Sequence, residues 1–251
     1  MVILKNSEQL KLMRRAGRIT GEALLCARDL IRPGVTTRDI DRAIREYIEG
    51  QGAKPSFLGY NGFPASACIS INSEVIHGIP SKHRVLCEGD IVKVDVGAFI
   101  GGYHGDSAKT FPVGRVSETA ERLIAATRQS FYDGVACARP GNRIGDVGSA
   151  IEESVARHGF STVREFVGHG IGEKLHESPD VPNYGTAGRG CRLYAGMTVA
   201  IEPMVNVGSS KVKVLDDGWT VVTADGSLSA HYEHTVAILG DETILLTDVG
   251  E

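Results

Sequence analysis

The sequence repeats itself. Arg32-Pro33-Gly34 opens a segment that runs through Asp39, Ala43, Ile44, Glu46 and Gly52; Arg139-Pro140-Gly141 opens another, with Asp146, Ala150, Ile151, Glu153 and Gly159 at matching places. The step from Arg32 to Arg139 is 107 residues, and it holds for every pair. Each copy predicts a helix ending near Pro-Gly, a turn, and a second helix stopped by a glycine. Ile40, Ala43, Ile44, Tyr47 and Ile48 give that second helix an apolar stripe in the first copy, and Val147, Ala150, Ile151 and Val155 do so in the other. The same step carries residues 86–92 onto 193–199, each leading into an alternating strand pattern, and it carries Asp95 onto Glu202. Chance similarity between two amphipathic helices would explain the helical part alone. One step held across helix and strand predicts a duplicated α+β half, about 10–115 and 117–245, within one domain spanning 1–251.

The strand patterns carry acids where apolar residues are expected. Ile91-Val92-Lys93-Val94-Asp95-Val96-Gly97 puts Val92, Val94 and Val96 on one face, with Lys93 and Asp95 on the other. Gly101-Gly102 turns the chain, so residues 103–111 can return antiparallel, and a turn centred near Ile100-Gly101 would set Asp106 facing Asp95. Two like charges at a cross-strand pair repel unless a cation lies between them. Either aspartate alone reads equally well as solvated. Glu202, however, closes the apolar run Met197-Thr198-Val199-Ala200-Ile201, and Glu233 opens Glu233-His234-Thr235-Val236-Ala237-Ile238-Leu239. Buried carboxylates are costly unless paired or bound to metal, and Lys93 is the one basic residue close by in sequence. His169 lies in Phe166-Val167-Gly168-His169-Gly170-Ile171-Gly172, whose glycines allow close backbone approach. Asp95, Asp106, His169, Glu202 and Glu233 therefore form a candidate ligand set. Oxygens with one imidazole suit Co²⁺, Mn²⁺, Fe²⁺ or Zn²⁺ rather than a thiolate zinc site. Five ligands exceed the need of one ion, and two ions about 3.5–4 Å apart would use them.

Composition narrows the setting. Five cysteines with no CxxC pair argue against a disulfide framework and for a reducing, cytoplasmic location. A net charge of −4 gives no basis for strong binding to nucleic acid or anionic membrane. Met1-Val2-Ile3-Leu4 is too short for a signal-peptide core, and no apolar run approaches the ~20 residues of a spanning helix. Lys82-His83-Arg84 reads as a solvated loop, and His83 and His158 as surface residues.

Several motifs now share an order and spacing. They are Val75-Ile76-His77-Gly78-Ile79-Pro80, Val94-Asp95-Val96-Gly97, His104-Gly105-Asp106, Gly168-His169-Gly170-Ile171-Gly172, His176-Glu177, Ile201-Glu202-Pro203 and Tyr232-Glu233-His234-Thr235. Together they resemble the type I methionine aminopeptidases, in the short bacterial form without an N-terminal extension. The resemblance covers essentially the whole chain. It implies the pita-bread fold, with two pseudo-symmetric α/β halves around a central antiparallel sheet, in a single catalytic domain. It also implies hydrolysis of the N-terminal methionine from nascent proteins and peptides with a small second residue, through water activated by a dinuclear metal centre.

By the same resemblance Asp95 is bidentate to one metal, Asp106 and Glu233 bridge, and His169 and Glu202 complete the other sphere. Glu202 takes the proton of the attacking water, while His77 and His176 act on the substrate without being ligands. The methionine slot falls on Phe57, Tyr60, Phe63, Cys68, His77, Leu175, His176 and Trp219. Phe57, Phe63 and Leu175 stand where related bacterial enzymes have cysteine, tyrosine and phenylalanine. Asn72 and Ser229 would hold one Na⁺ or K⁺, and His104, His231 and His234 are candidates to support the metal shell. The expected partners are nascent polypeptide N-termini and, transiently, the ribosome; the chain is expected to act as a monomer, with no nucleic acid and no membrane of its own. Two alternatives stay open. Prolidases and aminopeptidase P share the ligand set but usually carry an added N-terminal domain, for which this chain has no room. A non-catalytic binding module on the same fold would be expected to show eroded ligands and a basic face.

Overall fold

Both Arg-Pro-Gly segments join pairs of helices in the computed structural model, which describes residues 2–250. Helix α1 (Ser7–Leu30) starts at a capping box in which Asn6 accepts the Gln9 N–H at 3.0 Å and Gln9 accepts the Asn6 N–H at 2.9 Å. Helix α2 (Thr37–Gly50) is capped by Thr36, whose hydroxyl accepts the Asp39 N–H at 3.2 Å. Helix α3 (Glu118–Cys137) uses Ser117 in the same way. Helix α4 (Ile144–Arg157) begins after Arg143, which has no side-chain acceptor. There the Asp146 carboxylate accepts the Arg143 N–H at 2.7 Å instead. The stripes lie inward, with Ile40, Ile44 and Ile48 buried on α2 and Val147, Ile151 and Val155 on α4.

The 107-residue step recurs in the backbone bonding. Gly34 N–H donates to Leu86 C=O at 2.8 Å and Gly141 N–H to Leu193 C=O at 3.1 Å. Thr36 bridges Val85, and Arg143 bridges Arg192.

Every strand pairing among the described residues is antiparallel. The strand Ile91–Ile100 pairs with Tyr103–Pro112 along one edge, and with Ala67–Ile71 and Lys54–Pro55 along the other. A five-stranded sheet runs in the order Thr243–Leu245, His234–Ile238, Thr198–Ile201, Gly168–Gly170, Glu177–Val181. Two three-stranded sheets complete the set; one joins Ser229–His231 to Met204–Asn206. Side-chain and backbone bonds then stitch the first sheet to the second half. Glu233 N–H donates to Ala108 C=O at 2.8 Å, Asp106 N–H to Thr235 Oγ1 at 2.9 Å, and His231 N–H to Thr110 Oγ1 at 2.9 Å.

Each half packs its own helices against its own strands. Val92, Val94 and Val96 lie in one core with Leu24, Ile40, Ile44 and Ile48, as the alternation predicts. Val199, Ile201 and Val236 lie in another with Leu123, Phe131, Val147 and Ile151. Fully burying such a side chain stabilises by about 1.5–3 kcal/mol, so the apolar faces are fixed by the helices. The acid-bearing faces are left to meet each other. The hairpin register differs by one step from the expectation: Ile100 pairs with Tyr103, so Asp106 lies opposite Gly97 and Asp95 opposite Ala108. Gly101 and Gly102 both take positive φ (62° and 86°), and two such residues close the hairpin as a two-residue loop. The carboxylates are therefore diagonal neighbours.

Helix α1 presses closely on the Asp106 strand. A Cβ at Gly105 would lie 2.7 Å from both the N and the Cα of Gly17. Overpacking of this kind costs about 1–3 kcal/mol, so Gly105→Ala is expected to lower the thermal midpoint by about 2–10 °C in a calorimetric scan. No helix among the described residues is long and apolar enough to cross a membrane. All five cysteines are free.

Candidate metal centre

Ala108 organises the acids. It sits opposite Asp95 in one pairing and exchanges backbone hydrogen bonds with Glu233 on its other side. Side chains two apart on a strand share a face, so Asp106 joins the same cluster from its own strand. His169 pairs with Ala200, and Glu202 lies two residues further along that chain. Five side chains from both halves therefore converge. His169 Nε2 is 3.6 Å from Glu202 Oε1 and 3.9 Å from Asp106 Oδ2. Its Nδ1 lies 2.8 Å from Gly170 C=O, which leaves Nε2 as the free, inward nitrogen.

The electrostatics are severe. Burial pushes the Asp95 carboxyl up to about 7. Burial and the neighbouring carboxylates push Asp106, Glu202 and Glu233 well above the usual range. Burial also pushes His169 down to about 3. The oxygens Asp95 Oδ1 and Asp106 Oδ1 are buried with no hydrogen-bond partner. Among the described residues no lysine or arginine pairs with any of the four acids. Lys93, the neutraliser that sequence suggested, is almost fully buried and donates instead to Asn72 C=O at 2.7 Å. Four carboxyls, two of them with orphaned oxygens and none with a lysine or arginine partner among the described residues, form the kind of donor set that a cation site requires.

A cavity of roughly 170 Å³ opens on this cluster. Drug-sized ligands occupy pockets of about 300–1,000 Å³, so this one suits a single side chain. Its apolar wall is Phe57, Phe63, Cys68, Leu175 and Trp219, with the Phe63 and Trp219 rings edge to face at 5.1 Å. Tyr60 and His176 stand at the mouth, His176 Nδ1 lying 2.8 Å from the Tyr60 hydroxyl. The His176 ring is 4.1 Å from that of His169. His77, half-buried with a left-handed backbone (φ 59°), lines the opposite wall beside Trp219. Burial pushes His77 down to about 4 and lowers His176 as well, so both are neutral donors or acceptors at pH 7.

Asn72 and Ser229 also meet, outside the cavity, where Ser229 N–H donates to Asn72 C=O at 3.1 Å. His104 is held by the Ser56 hydroxyl at 2.9 Å and the Phe99 ring. The two histidines flanking Glu233 separate. His234 turns to Thr247 and Phe131, away from the acids. His231 turns inward, 3.7 Å from Glu202 and 3.9 Å from Glu233. Strand alternation sets residues 231 and 233 on one face, which separates the two histidines. Asn61 was missed altogether; it lines the cavity from a left-handed turn (φ 48°) that no sequence period signals.

Residues 11–239 match the model of Metallopeptidase family M24. The chain is 56% identical to a methionine aminopeptidase of Clostridium perfringens, over 98% of this chain and 99% of that one. The chain belongs to the methionine aminopeptidases of family M24. A crystal structure of methionine aminopeptidase from Thermotoga maritima superposes with a TM-score of 0.97 at 44% identity, covering 99% of this chain and 100% of that chain. A prolidase from Pyrococcus horikoshii superposes with a TM-score of 0.81 at 24% identity, covering 100% of this chain and 65% of that one, and shows the shared fold alone. The fold is thus the pita-bread fold. As an M24 metallopeptidase with a convergent carboxylate–imidazole cluster, the protein binds divalent metal.

Proposed function

We propose that this protein removes N-terminal methionine from nascent proteins and peptides with a small second residue, using two divalent ions held by Asp95, Asp106, His169, Glu202 and Glu233. The convergence of those five side chains on the floor of a one-side-chain apolar cavity carries the reading. The orphaned oxygens of Asp95 and Asp106 are the fit a cation requires. Asp106 and Glu233 would each help to hold both ions, and Co²⁺, Mn²⁺, Fe²⁺ and Zn²⁺ would all suit the donors. Divalent ions there supply positive charge that lowers the pKa of a water from about 15.7 towards about 7.

The chain's own groups do the rest. Glu202 accepts the proton of the attacking water and returns it to the leaving amine. His176, oriented by the Tyr60 hydroxyl on Nδ1, presents Nε2 to the developing oxyanion. His77 hydrogen-bonds the scissile amide from the other wall. Phe57, Phe63, Cys68, Leu175 and Trp219 enclose the methionine side chain and exclude water. Hydrolysis of Met-Ala-Ser by metal-reconstituted protein tests the reading; cleavage of Xaa-Pro peptides in its place would favour the prolidase alternative. Trp219→Ala removes an apolar wall worth about 1–3 kcal/mol, and is expected to lower kcat/KM for Met-Ala-Ser by about 10–100-fold.

The recurrent hydrogen bonds from Gly34 and Gly141 support one catalytic domain over 1–251, built from duplicated halves of about 10–115 and 117–245. The Asn72 carbonyl accepts from both the Lys93 ammonium and the Ser229 N–H, so Na⁺ or K⁺ would bind at the Asn72–Ser229 node only by displacing the ammonium. We assign the protein to the cytoplasm as a monomer that meets nascent chains near the ribosome.

A further inference from the structure

His231 has no part in the chemistry assigned to Glu202, His77 and His176. Its side chain is 1% exposed, yet neither ring nitrogen has a hydrogen-bond partner. A buried polar group left unpaired costs about 1–3 kcal/mol, so an orphaned imidazole at the core of a site implies a partner that protein atoms do not supply. His234, two residues on, shows the contrast: its Nδ1 lies 2.7 Å from Thr247 Oγ1 and its Nε2 3.2 Å from the Tyr232 hydroxyl.

The distances around His231 match those around His169. His231 Nε2 lies 3.7 Å from Glu202 Oε2 and 3.9 Å from Glu233 Oε2. His169 Nε2 lies 3.6 Å from Glu202 Oε1 and 3.9 Å from Asp106 Oδ2. All four are too long for hydrogen bonds. Two donors each about 2.1 Å from one ion lie roughly 3–4.2 Å apart, and all four distances fall in that range. Glu202 thus has an imidazole on each oxygen. The backbone of His231 is also pinned, since Thr110 Oγ1 accepts its N–H at 2.9 Å and donates to its C=O at 2.8 Å.

We infer that His231 is a sixth donor of the centre, forming with Glu202 and Glu233 a second metal-binding triad beside that of Asp106, His169 and Glu233. The inference rests on the metal-dependent reading above and adds to it: with Glu202 turning Oε1 to the ion of His169 and Oε2 to that of His231, where the family resemblance implies that it serves one ion alone, each ion receives one imidazole. The centre is then more tightly held than an all-oxygen second site, and it favours ions that accept nitrogen over Mg²⁺.

Titration of the metal-free full-length chain with Co²⁺, followed by calorimetry and by proton NMR, tests this. At saturation the wild type should show two hyperfine-shifted, exchangeable imidazole N–H resonances, one per coordinated histidine. His231→Gln should lose one of them and weaken one class of Co²⁺ binding at least tenfold, leaving the other class within twofold. His169→Gln assigns the second resonance. A single shifted N–H in the wild type overturns the inference without recourse to any variant. So does His231→Gln binding both ions as the wild type does, because glutamine can donate a hydrogen bond to Glu202 but supplies no imidazole. Absence of Co²⁺ binding by the wild type would instead sink the underlying metal reading.

Discussion

Glu202→Gln is expected to lower kcat on Met-Ala-Ser by about 10²–10⁴-fold at saturating Mn²⁺, with the far-ultraviolet circular dichroism unchanged. Glu202 closes the strand Thr198–Ile201 and reaches the cavity floor, where one oxygen faces His169 and the other His231. Glutamine keeps the shape and one acceptor oxygen but cannot take a proton. A purely structural carboxylate would lose stability on this change and regain rate once metal saturation was restored. A proton-transferring carboxylate loses rate whatever the metal concentration. Steady-state kinetics across a Mn²⁺ series separates the two outcomes. Activity within tenfold of wild type at saturation would remove Glu202 from proton transfer.

What sequence could and could not foresee follows from the range of the forces. Helix ends were legible because they are local: Gly52 and Gly159 stop α2 and α4 with φ of 71° and 76°. The acids were legible because a carboxylate inside a run such as Met197-Thr198-Val199-Ala200-Ile201 contradicts its neighbours. Partners were not. Lys93 lies two residues from Asp95 and on its face, yet its ammonium goes to the Asn72 carbonyl, a contact fixed by the left-handed turn at Asn72 (φ 53°). The offset of Asp106 from Asp95 depends on which two residues close the hairpin, and with Gly101-Gly102 beside Ile100 a one-step error moves the facing partner by two. The inward turn of His231 was within reach of strand alternation from Glu233. Its two orphaned nitrogens became visible only with both halves in place.

The metal-free protein is expected to be most stable near pH 6.5 and to lose at least about 5 °C of thermal midpoint by pH 8.5, with no such loss in saturating Mn²⁺. The sign follows from proton counting. Asp106, Glu202 and Glu233 are raised well above their unfolded values near 4, so the folded state holds protons that the unfolded state has released. Stability from a raised carboxyl is complete below its unfolded value and is lost as pH climbs through the folded one. Asp95, at about 7, finishes first. Below pH 6.5 the buried histidines act oppositely, and six of them outnumber the four carboxyls. His169, His231 and His234 at about 3, His77 and His104 at about 4, and the lowered His176 stay neutral in the fold, while their unfolded counterparts take protons and favour unfolding. Above pH 7 Lys93, lowered to about 7 by burial, opposes the raised carboxyls as a single group. One carboxyl titrating over two pH units is worth roughly 2.7 kcal/mol, and each kcal/mol moves the midpoint of a chain this size by about 2–4 °C. Divalent metal reverses the slope, because its ligands must be deprotonated to bind and binding favours the folded state. A midpoint that stays flat or rises between pH 6.5 and 8.5 in the metal-free protein would mean that the acids ionise without help, and the cluster would then lack the electrostatic demand for a cation on which the reading depends.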